Sequence, residues 1–124
     1  MAHSGKLQFL VVMSAPPDNV AEGERLFKSH ADWMQKTHYK DGKKALLIYD
    51  VSKAAEMENP MDPNTKPTGN TVFILSEVYE GTEGLKDHWE QAQSNWKDFS
   101  ALVDWLGKCK VTMVNGAGII HSLW

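Results

Sequence analysis

Apolar residues along this chain form four short runs, separated by two longer segments with helical spacing. The compact runs Lys6 to Ser14, Lys44 to Ser52 and Thr71 to Tyr79 are rich in Val, Ile, Leu and Phe, which is typical of strands. A fourth strand is predicted within Lys110 to Trp124, where two glycines indicate a bulge or a close approach of two backbones. The pattern therefore predicts a sheet of four strands.

The two longer segments repeat their apolar residues every three or four positions, which predicts amphipathic helices. The first helix is expected to begin after Asp18 or Asn19, either of which can cap it, and to run to about Tyr39. The second is expected to run from Thr82 to Gly107, and a short break about half-way along it is compatible with its spacing.

The resulting order, β-α-β-β-α-β, predicts a ferredoxin-like α+β fold in which two helices cover one face of an antiparallel sheet. One such domain accounts for residues 1–124, because no repeat and no linker divides the chain. Residues 53–70 are expected to form a long loop between the second and third strands. A loop of that length in a small domain is more often functional or mobile than inert, and a lid or an arm around a second copy both suit it.

The first three strands carry apolar residues at both even and odd positions. In the first of them, Leu7, Phe9 and Val11 alternate with Leu10 and Val12. With helices on one face only, the other face would expose a hydrophobic patch larger than the roughly 300–600 Å² typical of a soluble monomer. We therefore expect a homodimer in which two sheets pack face to face and form an α/β barrel.

Composition and charge narrow the classes of partner. The net charge is −3 and the longest basic run is two lysines, a pattern unlike that of a nucleic-acid-binding surface. Cys109 is the only cysteine, so the chain forms no internal disulfide and no cysteine-based metal site, which fits a reducing cytosol. The first apolar run is too short to span a bilayer. We therefore expect a cytoplasmic protein without nucleic-acid or membrane partners.

The segment from Phe73 to Phe99 contains a strand ending in Glu-x-Tyr-Glu, a short turn, and a helix with an apolar residue three positions before a histidine. Together with the element order, this segment resembles the dimeric α/β-barrel superfamily, and within it the antibiotic-biosynthesis-monooxygenase-like domains. The resemblance implies a homodimer and a cofactor-independent, monooxygenase-like enzyme in which His88 is the catalytic acid or base. The motif residues in this chain are Glu77, Tyr79, Glu80, Leu85 and His88.

The chain departs from this family at two places on the second helix. Many members have a second His-Phe pair, whereas this chain has Asn95-Trp96 one residue further along. Haem-degrading relatives place their iron-ligating histidine where this chain has Asp98 to Ala101, which argues against haem. The chain also has no HxH, HxxxH or HExxH spacing and no nucleotide-binding motif. We therefore expect neither a metal nor a cofactor.

Aromatic and histidine side chains on the predicted helices are candidates for a ligand pocket. Five tryptophans are unusual for a chain of 124 residues. Small-molecule sites are mostly apolar with a few polar groups, so these residues predict a pocket for a small apolar or aromatic ligand between helices and sheet. The candidate substrate-binding residues are His30, Trp33, Met34, Tyr49, Trp89 and Trp96.

Each of these candidates also has a structural interpretation. Tryptophans at helical spacing more often fill a core, and His88 would equally fix the packing of a helix on a strand. Glu77, a lone charge in its strand, is either a base with a shifted pKa or a charge at an edge or an interface. Three functions stay open: a monooxygenase-like enzyme, a non-catalytic protein that binds a fatty-acid-like or aromatic ligand, and a stress-type dimer with a vestigial pocket.

Overall fold

Four strands form one antiparallel sheet in the order β2-β3-β1-β4. The computed structural model describes residues 2–124, so Met1 of the predicted domain lies outside the described residues. The predicted small α+β architecture with a four-stranded antiparallel sheet is confirmed, and it is compatible with a ferredoxin-like fold. The strands are β1 (Leu7–Ala15), β2 (Leu46–Met57), β3 (Pro67–Tyr79) and β4 (Lys110–Gly118).

Three helices, α1 (Val20–Thr37), α2 (Thr82–Asn95) and α3 (Phe99–Leu106), contribute to the core. The second predicted helix is thus divided in two. The chain bends at Trp96, whose indole turns inward and donates a hydrogen bond to Ser29 Oγ on α1. Within residues 2–124 no helix is both long enough and apolar enough to cross a membrane.

One face of the sheet carries the main core. β1 lies between β3 and β4, and its register sets Phe9 opposite Glu77 and Val11 opposite Leu75. The odd-numbered residues of β1 and β3 therefore point to the same side, where the helices pack. The buried residues of this core are Phe9, Val11, Met13, Ala15, Leu26, Phe27, Phe73, Leu75, Tyr79, Leu85 and Trp105.

The opposite face of the sheet holds the even-numbered residues of β1 and β3. Leu10 and Val12 on β1 and Ile74 on β3 are only partly buried there, and Val114 on β4 is 41% exposed. The described helices contribute their buried residues to the other side, so this face stays partly apolar and open within a single chain. We call it the outer sheet face.

The loop predicted for residues 53–70 is wrong in its extent. β2 and β3 both continue into that segment, and only residues 58–66 lie between them. Alanines, a proline and a glycine in these strand extensions have low strand propensity, which hid them from the sequence pattern. Contacts across the hairpin stabilise these strand extensions despite their low propensity, since the Glu56 carboxylate accepts hydrogen bonds from Thr68 Oγ1 and Asn70 Nδ2.

Candidate functional site

Ionisable side chains from three elements meet in the core. His30 on α1, Glu77 on β3 and His88 on α2 are 3%, 0% and 3% exposed. One ligand atom from each residue lies within 4.8 Å of the other two. Burying ionisable groups is costly unless they find partners, so this arrangement needs a physical explanation. We call these three residues the His-Glu-His cluster.

The periodicity of each element brings the cluster together. Glu77 shares the odd positions of Phe73 and Leu75 on β3, so it points toward the helices. His30 follows the buried Phe27 by three residues on α1, and His88 follows the buried Leu85 by three on α2. Each histidine therefore lies on the same buried stripe as a core residue.

Hydrogen bonds determine where the protons of His88 lie. The Thr37 hydroxyl donates to the Trp33 carbonyl oxygen at 2.8 Å, so Thr37 Oγ1 accepts from His38 Nδ1 at 2.9 Å. A neutral His38 then has an unprotonated Nε2, which accepts from His88 Nδ1 at 2.9 Å. A neutral His88 is therefore left with its lone pair on Nε2.

Burial determines the charge state of the cluster. Desolvation lowers the pKa of His30 to about 3 and the pKa of His38 to about 4, and it also lowers the pKa of His88. The same effect raises the pKa of Glu77 to about 8, against the opposing influence of the Tyr79 hydroxyl that donates to its Oε1. The histidines are thus neutral at pH 7.

Each member of the cluster has one polar atom held by a neighbour and a second atom left open. His30 Nδ1 hydrogen-bonds the Tyr49 hydroxyl at 2.7 Å, His88 Nδ1 is held by His38, and Glu77 Oε1 is held by Tyr79. Glu77 Oε2 is buried and has no hydrogen-bond partner among residues 2–124. Nor does Nε2 of either cluster histidine hydrogen-bond any atom in that range.

An apolar cavity of about 120 Å³ adjoins the cluster, and His30 and His88 form part of its wall. This volume is below the roughly 300–1,000 Å³ of sites for drug-sized ligands. It is close to the size of an engineered apolar cavity of about 150 Å³ that binds benzene. The cavity therefore suits a ligand of about one aromatic ring. Its other walls include Phe9, Met13, Trp89, Trp96, Leu102 and Val103.

The predicted site residues fall into two groups in the structure. His30, His88, Trp89 and Trp96 line the cavity. The other three, Trp33, Met34 and Tyr49, do not line it: Trp33 stacks on Trp96 with ring centroids 5.6 Å apart, and Met34 and Tyr49 line a separate surface depression. Tyr49 still reaches the cluster through its hydrogen bond to His30. The assignment of all seven residues to a site stays a prediction.

The cavity tryptophans use their polar atoms within the protein. Trp89 Nε1 donates to Asn115 Oδ1 at 3.0 Å, and Trp96 Nε1 donates to Ser29 Oγ at 3.1 Å. Their rings therefore offer apolar faces and edges to a ligand and no hydrogen bond. The available polar groups of the cavity wall are those of His30 and His88.

Three residues of the site have no firm role that the sequence pattern alone assigns. Glu77 was visible as a lone charge in an apolar strand, but an edge position explained it equally well. Tyr79, two residues further on the same face, was seen only as part of a motif. His38 lies just beyond the end of α1, where helical spacing no longer says which way a side chain points.

Comparisons with known proteins do not identify this chain. No protein-family model, no curated protein and no solved structure matches it. The cluster and the cavity are the features of this chain that bear on its function.

Proposed function

We propose that this protein is a monooxygenase-like enzyme that acts, without a cofactor, on a small apolar or aromatic substrate in the cavity. One observation carries the proposal: His88, whose unprotonated nitrogen is Nε2, forms part of the polar wall of a cavity that is otherwise apolar. Burial lowers the pKa of His88 and so weakens it as a base, and proton removal from a substrate in this ring-sized space therefore relies on Glu77 and His38 to stabilise the imidazolium. The hydrogen bond from His88 Nδ1 to His38 adds a path for the proton.

In the proposed reaction His88 takes the hydroxyl proton of a small phenol on Nε2. As that nitrogen gains a proton, Nδ1 passes its own to His38 Nε2, and His38 is half-buried and closer to solvent. The Glu77 carboxyl oxygen, 4.0 Å from His88 Nδ1, stabilises the imidazolium when it is ionised.

The phenolate is then oxidised by O₂ at the ring carbon opposite its oxygen, giving a quinone. One oxygen atom of O₂ enters the ring and the other leaves as water with the two hydrogens that the phenol loses. The reaction balances without a further reductant. Phenols of a single ring match the volume of the cavity.

Oxygen uptake and quinone absorbance with a panel of single-ring phenols test this proposal. We expect turnover by the wild type and a loss on the order of 100-fold or more in kcat for His88→Ala, the usual contribution of a positioned base. His121→Ala, at an exposed histidine, is the matched control and should retain full activity. Equal turnover by His88→Ala and the wild type would sink the proposed role.

The competing functions give different results with the same protein. A small apolar ligand that co-purifies and is identified by mass spectrometry of denatured protein, without turnover, would favour the non-catalytic binding protein. Neither turnover nor a bound ligand would favour a vestigial cavity.

We also propose that two copies associate through the outer sheet face. The support is its partly exposed apolar residues, among them Leu10, Val12 and Val114, which no described helix covers. Sedimentation at micromolar concentration should give a dimer for the wild type and a monomer for Leu10→Glu. Lys28→Glu, at an exposed site on α1, is the control and should remain dimeric. A monomeric wild type would contradict this pairing.

A further inference from the structure

We infer that the His-Glu-His cluster is a binding site for a divalent transition-metal ion. The ligands would be the atoms that the hydrogen bonds leave open: Nε2 of His30, Nε2 of His88 and Oε2 of Glu77. These residues come from three different elements and lie far apart in sequence. Short-range motifs therefore do not reveal them, and the expectation of a metal-free protein rested on such motifs.

The way in which each ligand is held supports this inference. In metal sites the second nitrogen of a ligating histidine nearly always hydrogen-bonds another group, which orients the ring and fixes its tautomer. Here Tyr49 holds Nδ1 of His30 at 2.7 Å and His38 holds Nδ1 of His88 at 2.9 Å. Tyr79 holds the carboxylate of Glu77 in the same manner. All three candidate ligands thus have an outer partner.

The open oxygen of Glu77 is a second, independent observation. Glu77 is 0% exposed, and its Oε2 has no partner among the described residues. A buried polar atom without a partner costs on the order of 1–3 kcal/mol, and in native proteins it often marks an ion or a water site. A cation between Oε2 and the two imidazoles would satisfy this atom and the two open nitrogens together.

The ligand types indicate which ions would bind. Two imidazoles and one carboxylate suit Zn²⁺, Fe²⁺ or Co²⁺, whereas Mg²⁺ and Ca²⁺ prefer oxygen ligands alone. Metal–ligand bonds of about 2.0–2.2 Å place two ligands of one ion at most about 4.4 Å apart, and closer than that in a tetrahedral site. One ligand atom of each residue lies within 4.8 Å of the others, and the distance between His88 and Glu77 is 4.0 Å from Nδ1 to Oε1, so the side chains must shift to bring Nε2 and Oε2 onto one ion. Three protein ligands also leave coordination positions open, as in catalytic sites.

Metal binding and the proposed proton transfer would exclude each other, because the ion occupies the lone pair of His88 that serves as the base. Zinc is therefore expected to inhibit phenol turnover. This inhibition rests on the proposed function, whereas the binding itself does not. For that reason the decisive experiment measures binding without substrate.

The experiment titrates the chelator-treated full chain with Zn²⁺ by calorimetry and with Co²⁺ by visible absorption. We expect one equivalent of either ion per chain and a Co²⁺ spectrum typical of nitrogen and oxygen ligands. Glu77→Gln keeps the shape of the side chain but not its charge, and it should weaken binding by 100-fold or more, as a direct ligand would. His38→Gln should weaken binding by about 10- to 100-fold, the usual effect of an outer partner.

Two controls keep the result interpretable. His121→Ala removes an exposed histidine and should bind as the wild type does. Zn²⁺ should also raise the melting temperature of the wild type but not that of Glu77→Gln, which separates loss of the site from loss of folding. Binding of less than one equivalent by the folded wild type, or binding that Glu77→Gln leaves unchanged, would overturn the inference.

Discussion

Gly23 occupies a buried position on α1 at which any larger residue would meet Trp105. A Cβ atom at Gly23 would lie 2.6 Å from Trp105 Cζ2 and 3.1 Å from Phe73 Cζ. Non-bonded carbons prefer about 3.5–4.0 Å, so the indole would have to move by roughly 1 Å. It is not free to do so, because its Nε1 donates to the Asn19 carbonyl oxygen at 2.8 Å and its ring packs edge-on against Phe27.

Two effects of opposite sign decide the outcome of Gly23→Ala. Alanine stabilises a helix interior by roughly 0.5–1 kcal/mol relative to glycine. Overpacking of a well-filled core costs about 1–3 kcal/mol. We therefore expect the free energy of unfolding to fall, by up to about 2.5 kcal/mol, the largest difference between these two terms.

A double-mutant cycle isolates the contact, because Trp105→Phe removes the atom that clashes. In that background Gly23→Ala should be neutral or stabilising, with a coupling energy of about 1–3 kcal/mol. Urea unfolding followed by far-UV circular dichroism measures each variant without depending on tryptophan fluorescence. Gln35→Ala and Gln35→Gly measure the helix preference at an exposed position of the same helix. If Gly23→Ala alone stabilised the protein by as much as the difference between Gln35→Ala and Gln35→Gly, the Trp105 contact would not constrain the helix.

Three further predictions concern side chains outside the cluster. Ser29 Oγ donates a hydrogen bond to Asp98 at 2.5 Å and accepts one from Trp96 Nε1. Ser29→Ala should therefore lower the free energy of unfolding, measured in urea, by about 1–3 kcal/mol. An unchanged urea midpoint would contradict this. The Ser29 hydrogen bond and the Arg25 charge lower the pKa of Asp98 from its ordinary value of 3.8. The ionised carboxylate therefore stabilises the fold at pH values above 3.8, and this stabilisation is lost as the pH falls through the lower pKa of the folded state. Asp98→Asn should accordingly lose less stability than the wild type over that acid range. Burial raises the pKa of the Cys109 thiol, so iodoacetamide should label it more slowly in native protein than in urea, and equal rates would refute this.

The fold could be predicted because local spacing and tertiary structure agree over most of the chain. Apart from Glu77, the odd residues 9–15 of β1 and 73–79 of β3 are apolar, and they form the face that the helices cover. The end of β2 and the start of β3 were not predicted as strand, because local spacing and tertiary structure disagree there. In this part of the hairpin the strand propensity of the residues is low, and the hydrogen bonds of Glu56 to the opposite strand stabilise the extended backbone.

The site was less predictable than the fold, for a physical reason. His88 was singled out by the family resemblance, and His30 was chosen because it lies among apolar residues of the first predicted helix. The contact between His88 and His38 depends instead on how α1 and α2 pack and on the chain direction after Thr37, which no short-range pattern records. The open Oε2 of Glu77 likewise follows from burial on the sheet, since the sequence alone leaves an edge position equally reasonable.

The central position of β1 has a consequence for how the chain folds as it is synthesised. Leu7 pairs with Tyr79 on one side and with Gly118 on the other, so β1 receives its last partner only after residues 110–118 have been synthesised. The β2–β3 hairpin can form much earlier, because its strands are consecutive. Such non-local pairing slows folding and leaves an apolar strand with an open edge during translation. β1 is therefore the segment where a chaperone would best protect the nascent chain.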